Sequence, residues 1–188
     1  SVLVRLRQHH QNLTDLAQAL HWVATDALPQ NSEPLLAELE RCILLSPMRQ
    51  GPWGVDSVHR QLLAERYGQP IQAWPLGTPV LNQRNLPEQG LANGDIGLLI
   101  EAGGERRVLM AGGRLLHPTR LGEAEPALAL TVHKAQGSQY GEVLLLLPPS
   151  RHGDPRLLYT GLTRARRQAH LVLPIPVSDP ASALAGAA

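Results

Sequence analysis

The sequence predicts an α/β fold carrying a β-rich insertion, and three observations support this. Continuous apolar runs, CILLS (42–46), ALALTVHK (127–134), VLLLLP (143–148) and AHLVLPI (169–175), read as strands covered on both faces. Apolar residues at helical spacing lie around them. From about 75 to 122 the pattern changes to short β-type runs separated by Asn93-Gly94, Gly103-Gly104 and Gly112-Gly113, dipeptides suited to tight hairpins.

In chain order, Leu13, Leu16, Ala17, Leu20 and Ala24 predict a helix over 13–24, with Asn12 or Thr14 as its cap. Ser32 followed by Pro34 opens a short helix over LLAELE. CILLS is then a buried strand, PMRQGPWG (47–54) a loop, and 55–66 a helix with Val55, Val58, Leu62 and Leu63 on one face. IGLLIE, RRVLMA and RLLH form an antiparallel meander, expected to be a small barrel inserted into the α/β domain. After VLLLLP, Asp154 and Pro155 open a helix that buries Leu158, Tyr159, Leu162 and Ala165. The chain starts at Ser1, and VLVRL reads as the middle of an element, so a processed or excised piece is expected. The small-residue tail SDPASALAGAA is expected to be frayed, with 177–188 as a flexible segment.

At 188 residues and a net charge of +1, the chain can bury a core, while its overall charge argues neither for nor against nucleic acid. Basic residues gather at Arg5/Arg7/His9/His10, at Arg106/Arg107/Arg114/His117/Arg120 and at Arg151/Arg156/Arg164/Arg166/Arg167. Each cluster suits either a phosphate-reading face or ordinary solvated surface. The single cysteine, Cys42, excludes an intrachain disulfide framework and fits a reducing, cytoplasmic setting. No apolar stretch approaches the ~20 residues of a membrane span. The histidines are scattered, and His9-His10 has no Cys or carboxylate at ligand spacing, so no metal site is expected.

Two stretches carry chemistry. TVHKAQGSQY (131–140) follows one apolar run and precedes another, and it holds Lys134, the only lysine in the protein. A polar loop after a strand lies where α/β sheets bind ligands. Thr131, His133 and Lys134 can each hydrogen-bond a phosphate oxygen, Gln136 and Gln139 can reach bases or sugars, and Gly137 allows close backbone approach. The bland alternative is a polar strand-to-helix loop with a solvated lysine. In YTGLTRARRQ (159–168), helical spacing puts Arg164 and Arg167 on one face, together with Thr160. Guanidinium suits bidentate phosphate contact and the charge that develops on a transferred phosphoryl group. An Arg-rich helix is otherwise surface.

In this order the stretches resemble superfamily 1 helicases, and most closely the RecD family, the exodeoxyribonuclease V alpha subunits. TVHKAQGSQY is similar to helicase motif V, LLYTGLTRARRQAHLV to motif VI, and ILLSPMRQGPWGVDSVHRQL to the strand, loop and helix that open the second RecA-like domain. VLVRLRQHHQNLTDLAQAL resembles the segment with the motif IV arginine, which corresponds to Arg7, and TPVLNQRNLPEQGLANGDIGLL the start of an inserted SH3-like barrel. The resemblance implies a RecA-like, P-loop NTPase-type second motor domain in 1–74 and 123–176, an SH3-like β-barrel in 75–122 and a tail in 177–188. It implies Arg164 and Arg7 at the γ-phosphate of ATP across an interdomain cleft, Gln136, Gly137 and Gln139 beside the nucleotide, and Thr131, His133 and Arg49 on single-stranded DNA. Lys134 can serve either side and is assigned to DNA. The family usually carries Glu where Gln139 stands, so that contact loses a charge, and Asn where His59 stands, so His59 inherits no role.

A P-loop needs G-x-x-x-x-G-K-[ST], which a chain whose only lysine is Lys134 of HKAQ does not contain. Nor does an acidic pair follow an apolar strand to hold Mg²⁺. The expectation is the C-terminal motor half of an ATP-dependent 5′-to-3′ DNA helicase in recombinational repair. It would work with ATP, Mg²⁺ held elsewhere, an N-terminal RecA-like domain, and RecB- and RecC-like subunits. The alternatives are another superfamily 1 helicase, such as a conjugative relaxase-linked one, and a stand-alone nucleic-acid-binding or docking module, in which Arg7 and Arg164 need not converge.

Overall fold

The computed structural model describes residues 1–22, 27–151 and 153–173, which belong to two compact units. The first comprises Ser1–His9, Glu40–Ala64 and the chain from Leu128 onward; the second comprises His10–Leu39 and Glu65–Ala127. These limits replace the expected breaks at 74/75 and 122/123, because residues 10–39 pack with the β-rich segment and not with the parallel sheet.

The first unit is built on β1 (Cys42–Ser46), β7 (Ala129–Thr131), β8 (Tyr140–Leu146) and β9 (Ala165–Val172), all parallel in the order β7-β1-β8-β9. CILLS is buried at every position, as a strand covered on both faces must be. One face holds Leu44, Leu144, Leu146 and Val172 against Val2, Leu3 and Leu6 of helix α1 (Val2–Gln18) and Val55 and Val58 of α3 (Val55–Leu63). Alternation turns Leu145 to the opposite face. There it meets Gly161 of α4 (Pro155–Leu162) so closely that a Cβ on that glycine would lie 2.7 Å from Leu145 Cδ2.

In the second unit β2 (Pro79–Asn82), β3 (Ile96–Ala102), β4 (Glu105–Met110), β5 (Leu115–Leu116) and β6 (Ala124–Pro126) form an antiparallel sheet ordered β5-β4-β3-β2-β6. Leu98, Ile100 and Leu109 pack on Leu13 and Ala17 of α1 and Leu35 and Leu39 of α2 (Ser32–Leu39). The other face buries Trp74, Val80, Leu99 and Val108.

Several local expectations are corrected. The first helix starts at Val2 and ends at Gln18 instead of spanning 13–24, and Ala24 lies outside the described residues. Asn12 and Thr14 are therefore interior and cap nothing. Thr14 Oγ1 donates to Leu76 O at 2.7 Å, and Asn12 Nδ2 donates to Glu38 Oε1 at 3.3 Å. The strand expected over ALALTVHK is confined to Ala129–Thr131, and turns, with no helix, lead from it to β8. The helix opened by Asp154 stops at Leu162, with Asp154 Oδ1 accepting from the N–H groups of Arg156 and Leu157 at 3.1 Å each. It buries Leu157 and Gly161, while Tyr159 and Leu162 are exposed. Arg164 and Arg167 thus share no helix face: Arg164 follows the helix, and Arg166 and Arg167 belong to β9. Parallel pairing with β8, from Tyr140↔Ala165 to Leu146↔Val172, overrides the helical spacing of this segment. The tail lies outside the described residues. Among the described residues no helix is long and apolar enough to cross a membrane.

Candidate nucleotide and nucleic-acid site

The loop 132–139 joins opposite edges of the parallel sheet. Thr131 is level with Ser46, at the carboxyl end of β1, whereas Glu142 is level with Cys42, at its start. At ~3.3 Å per strand residue the two ends of the loop lie roughly 20 Å apart along the strands. The polar residues of TVHKAQGSQY therefore fall into two groups.

At the carboxyl edge, buried Ser46 donates its hydroxyl to Trp53 O at 2.7 Å and accepts from Met48 N at 3.0 Å, folding the 47–54 loop back on itself. Arg49 is exposed there, with Nε 3.8 Å from Asp56 Oδ1. Next to it Val132 N donates to Ser46 O at 2.9 Å. Thr131 Oγ1 accepts from Lys134 N at 3.3 Å, which winds the chain into a turn and leaves His133 exposed and Lys134 half-buried. Thr131, His133, Lys134 and Arg49 are thus brought to one edge.

At the amino edge Gly137 takes φ +87°, a conformation L residues rarely adopt, and nothing lies within 4 Å of where its Cβ would be. The glycine serves the backbone turn. Gln136 and Gln139 are exposed beside it. Tyr140 N donates to Arg164 O at 2.8 Å, so the residue ending the loop is tied to the residue following α4. The Arg164 guanidinium is half-buried. Nη1 donates to Ser138 O at 3.4 Å, Nη2 donates to Thr163 Oγ1 at 3.2 Å, and Nε is buried with no partner. Among the described residues no carboxylate pairs with it. Arg166 differs: Nη2 lies 2.6 Å from Glu40 Oε2 and 3.1 Å from Gln139 O, clamping the end of the loop. Buried Tyr140 has no hydrogen-bond partner for its hydroxyl, and burial pushes its pKa from 10.0 up to about 12.

Arg7 is exposed on α1 and makes no described contact with the Arg164 group. Two of the basic clusters are partly paired or buried. Arg5 pairs with Glu142 at 2.5 Å, His9 and His10 are buried, and His10 Nε2 lies 3.0 Å from Thr78 Oγ1. In the second unit Arg107 pairs with Glu105 at 2.6 Å, Arg106 approaches Glu101 at 4.0 Å, and Arg114 donates to the carbonyls of Gln89 and Gly90. His59, given no role from sequence, is buried with Nε2 accepting from Ala129 N at 3.1 Å, which anchors β7. Ser138, Thr163, Glu40 and Arg166 were not anticipated as site residues. Thr163 and Ser138 were visible beside named residues, but nothing local marks Glu40. Among the described residues no three His, Cys, Asp or Glu side chains gather to hold a metal ion.

Residues 126–172, from β6 through the loop to β9, match the UvrD-like helicase C-terminal domain. The fold agrees: Bacteroides Pif1 bound to ssDNA is similar over 90% of this chain and 47% of that chain, with a TM-score of 0.50 at 16% identity. Residues 126–172 thus carry the pattern of a UvrD-like helicase C-terminal domain, on a fold shared with that structure. The RecBCD enzyme subunit RecD of Mycobacterium tuberculosis is 39% identical over 155 residues, covering 78% of this chain and 27% of the relative. That of Mycolicibacterium smegmatis is 37% identical over 143 residues, covering 73% and 26%. The ATP-dependent RecD2 DNA helicase of Deinococcus radiodurans is 32% identical over 139 residues, covering 65% and 19%. The chain belongs to the RecD family of superfamily 1 helicases and corresponds to its C-terminal portion. It spans about a quarter of the length of these two mycobacterial RecD relatives.

Proposed function

We propose that the chain is the second motor half of a RecD-like ATP-dependent DNA helicase, unwinding 5′ to 3′ in recombinational repair. The observation that carries this reading is Arg164. A half-buried guanidinium with neutral neighbours and a buried, unpartnered Nε is a cation waiting for an anion. The γ-phosphate of ATP supplies that charge, with Arg7 reaching it from α1 and Gln136, Gly137 and Gln139 lying beside the nucleotide. Thr131, His133, Lys134 and Arg49, at the other end of the loop, face single-stranded DNA. The loop then joins the two ligands. Mg²⁺ ligands and the phosphate cradle belong to an N-terminal RecA-like domain, the five-stranded sheet to an SH3-like insertion, and RecB- and RecC-like subunits are the partners, in the cytoplasm.

The test is steady-state ATP hydrolysis by the full-length helicase with single-stranded DNA present. Arg164→Lys should lower kcat by roughly 100-fold, less than the ~10³–10⁵ of arginine fingers that act alone, because Arg7 shares the task. Arg156→Lys is the control, since Arg156 is exposed in the first turn of α4, at the opposite end of that helix from Arg164. Arg166 is unsuited to that purpose because it holds Gln139 O. Equal losses in the two variants would reject the assignment.

A further inference from the structure

We propose that Thr163 is a positioning residue for Arg164, its hydroxyl setting the plane of the guanidinium before nucleotide arrives. The proposal rests on the reading that Arg164 meets the phosphate.

Thr163 is itself fixed. It caps the carboxyl end of α4 at φ −71° and ψ −5°, and its N–H donates to the carbonyls of Tyr159 and Gly161. Its hydroxyl proton is committed, since Oγ1 donates to Thr160 O at 3.2 Å. What remains on Oγ1 is acceptor capacity, and Arg164 Nη2 donates to it at 3.2 Å. The direction of the relay is thereby determined: Arg164 to Thr163 hydroxyl to Thr160 carbonyl. Ser138 O takes Nη1 from the other side at 3.4 Å. Both terminal nitrogens keep a second N–H, and Nε keeps its own.

The chemical type of these acceptors matters. A carboxylate at position 163 would orient the guanidinium equally well, but it would also neutralise it and compete with phosphate. Arg166, paired with Glu40, is in that condition. A hydroxyl and a carbonyl orient without cancelling charge, so the long side chain surrenders its rotamer freedom before the reaction and not during it. Glu and Asp at position 163 cannot reproduce this neutral relay, whereas Ser can.

The test compares Thr163→Val with Thr163→Ser in the full-length helicase, by single-stranded-DNA-stimulated ATP hydrolysis and by calorimetric binding of ADP and of ADP–aluminium fluoride. Thr163→Val keeps the shape and loses the hydroxyl. It should lower kcat roughly tenfold, leave KM for ATP within about twofold, and weaken ADP–aluminium fluoride by a similar factor to kcat while ADP binds unchanged. Thr163→Ser should behave as the parent does. In an Arg164→Lys background, Thr163→Val should add nothing. The proposal is overturned if Thr163→Val turns over at the parental rate, if Thr163→Ser is as impaired as Thr163→Val, or if ADP affinity falls in step with that of ADP–aluminium fluoride. A silent Arg164→Lys removes the functional reading and this proposal together. A damaging Arg164→Lys beside a silent Thr163→Val removes this proposal alone.

Discussion

Tyr140 carries an energetic consequence out of proportion to its single hydroxyl. Burial is the main cause that lifts its pKa from 10.0 to about 12; the nearby Ser138 side chain works against the shift, and Glu40 adds to it. No hydrogen bond of acceptable geometry reaches the phenol oxygen, so the Ser138 effect is minor and desolvation decides. The fold favours the neutral phenol. Its contribution is complete below pH 10, where folded and unfolded states are both protonated, and is lost as pH rises from 10 through about 12. A shift of this size is worth up to about 3 kcal/mol. Urea unfolding measured from pH 8 upward should show that decline in the parent and a flatter curve for Tyr140→Phe. At neutral pH, Tyr140→Phe should change stability by less than about 1 kcal/mol, because no hydrogen bond is lost. Parallel curves for the two proteins would show that Tyr140 does not titrate as its burial requires.

At the scale of elements, the β3–β4 hairpin is the clearest case of local sequence dictating structure. Ala102 pairs with Glu105, so Gly103 and Gly104 form a two-residue loop, at φ +60° and +80°. A right-handed strand twist selects this turn, and the turn demands positive φ at both positions. Nothing lies within 4 Å of a Cβ on Gly104, so a substitution there reports backbone strain without a clash. Gly104→Val should destabilise by about 1–2 kcal/mol, while Gly104→Asn should cost much less, as measured by chemical unfolding. If Val and Asn prove equal, the turn is not what holds the hairpin. The opposite case is β9. ARRQAHLV has no strand alternation in its first half, and Arg167 stands at helical spacing from Arg164 just before it, but it forms the edge of the parallel sheet. Charged side chains are tolerated on an edge strand because four of its first five residues are solvent-exposed, and they guard it against further pairing.

For the whole molecule, the decisive feature is which phosphate-binding groups the chain contains. It carries arginines and polar side chains of the types suited to phosphate, but no G-x-x-x-x-G-K-[ST] loop, and its only lysine lies in the turn after β7. Binding groups without a phosphate cradle cannot align a nucleophile with the γ-phosphate. The purified chain should hydrolyse ATP no faster than buffer controls. Turnover above background that Arg164→Ala abolishes would overturn this assignment of parts. The two units have separate cores, the first on Leu44 and Leu144 and the second on Leu98 and Leu109.

The sequence alone determined the features that depend on neighbours in the chain. Unbroken apolar runs mark strands covered on both faces, as in CILLS; Asp154-Pro155 starts a helix through its own side chain and fixed φ; paired glycines turn a hairpin; and the motif-like stretches point to the helicase family. Only the tertiary structure decided that TVHKAQGSQY divides between opposite sheet edges, that His9 and His10 are core rather than a basic surface, and that Arg166 is clamped while Arg164 is left without an anion. Those outcomes rest on partners far away in sequence, such as Glu40 for Arg166 and Glu142 for Arg5. A side chain's charge is written in its residue type. Whether that charge is neutralised, buried or left available is set by what the fold brings beside it.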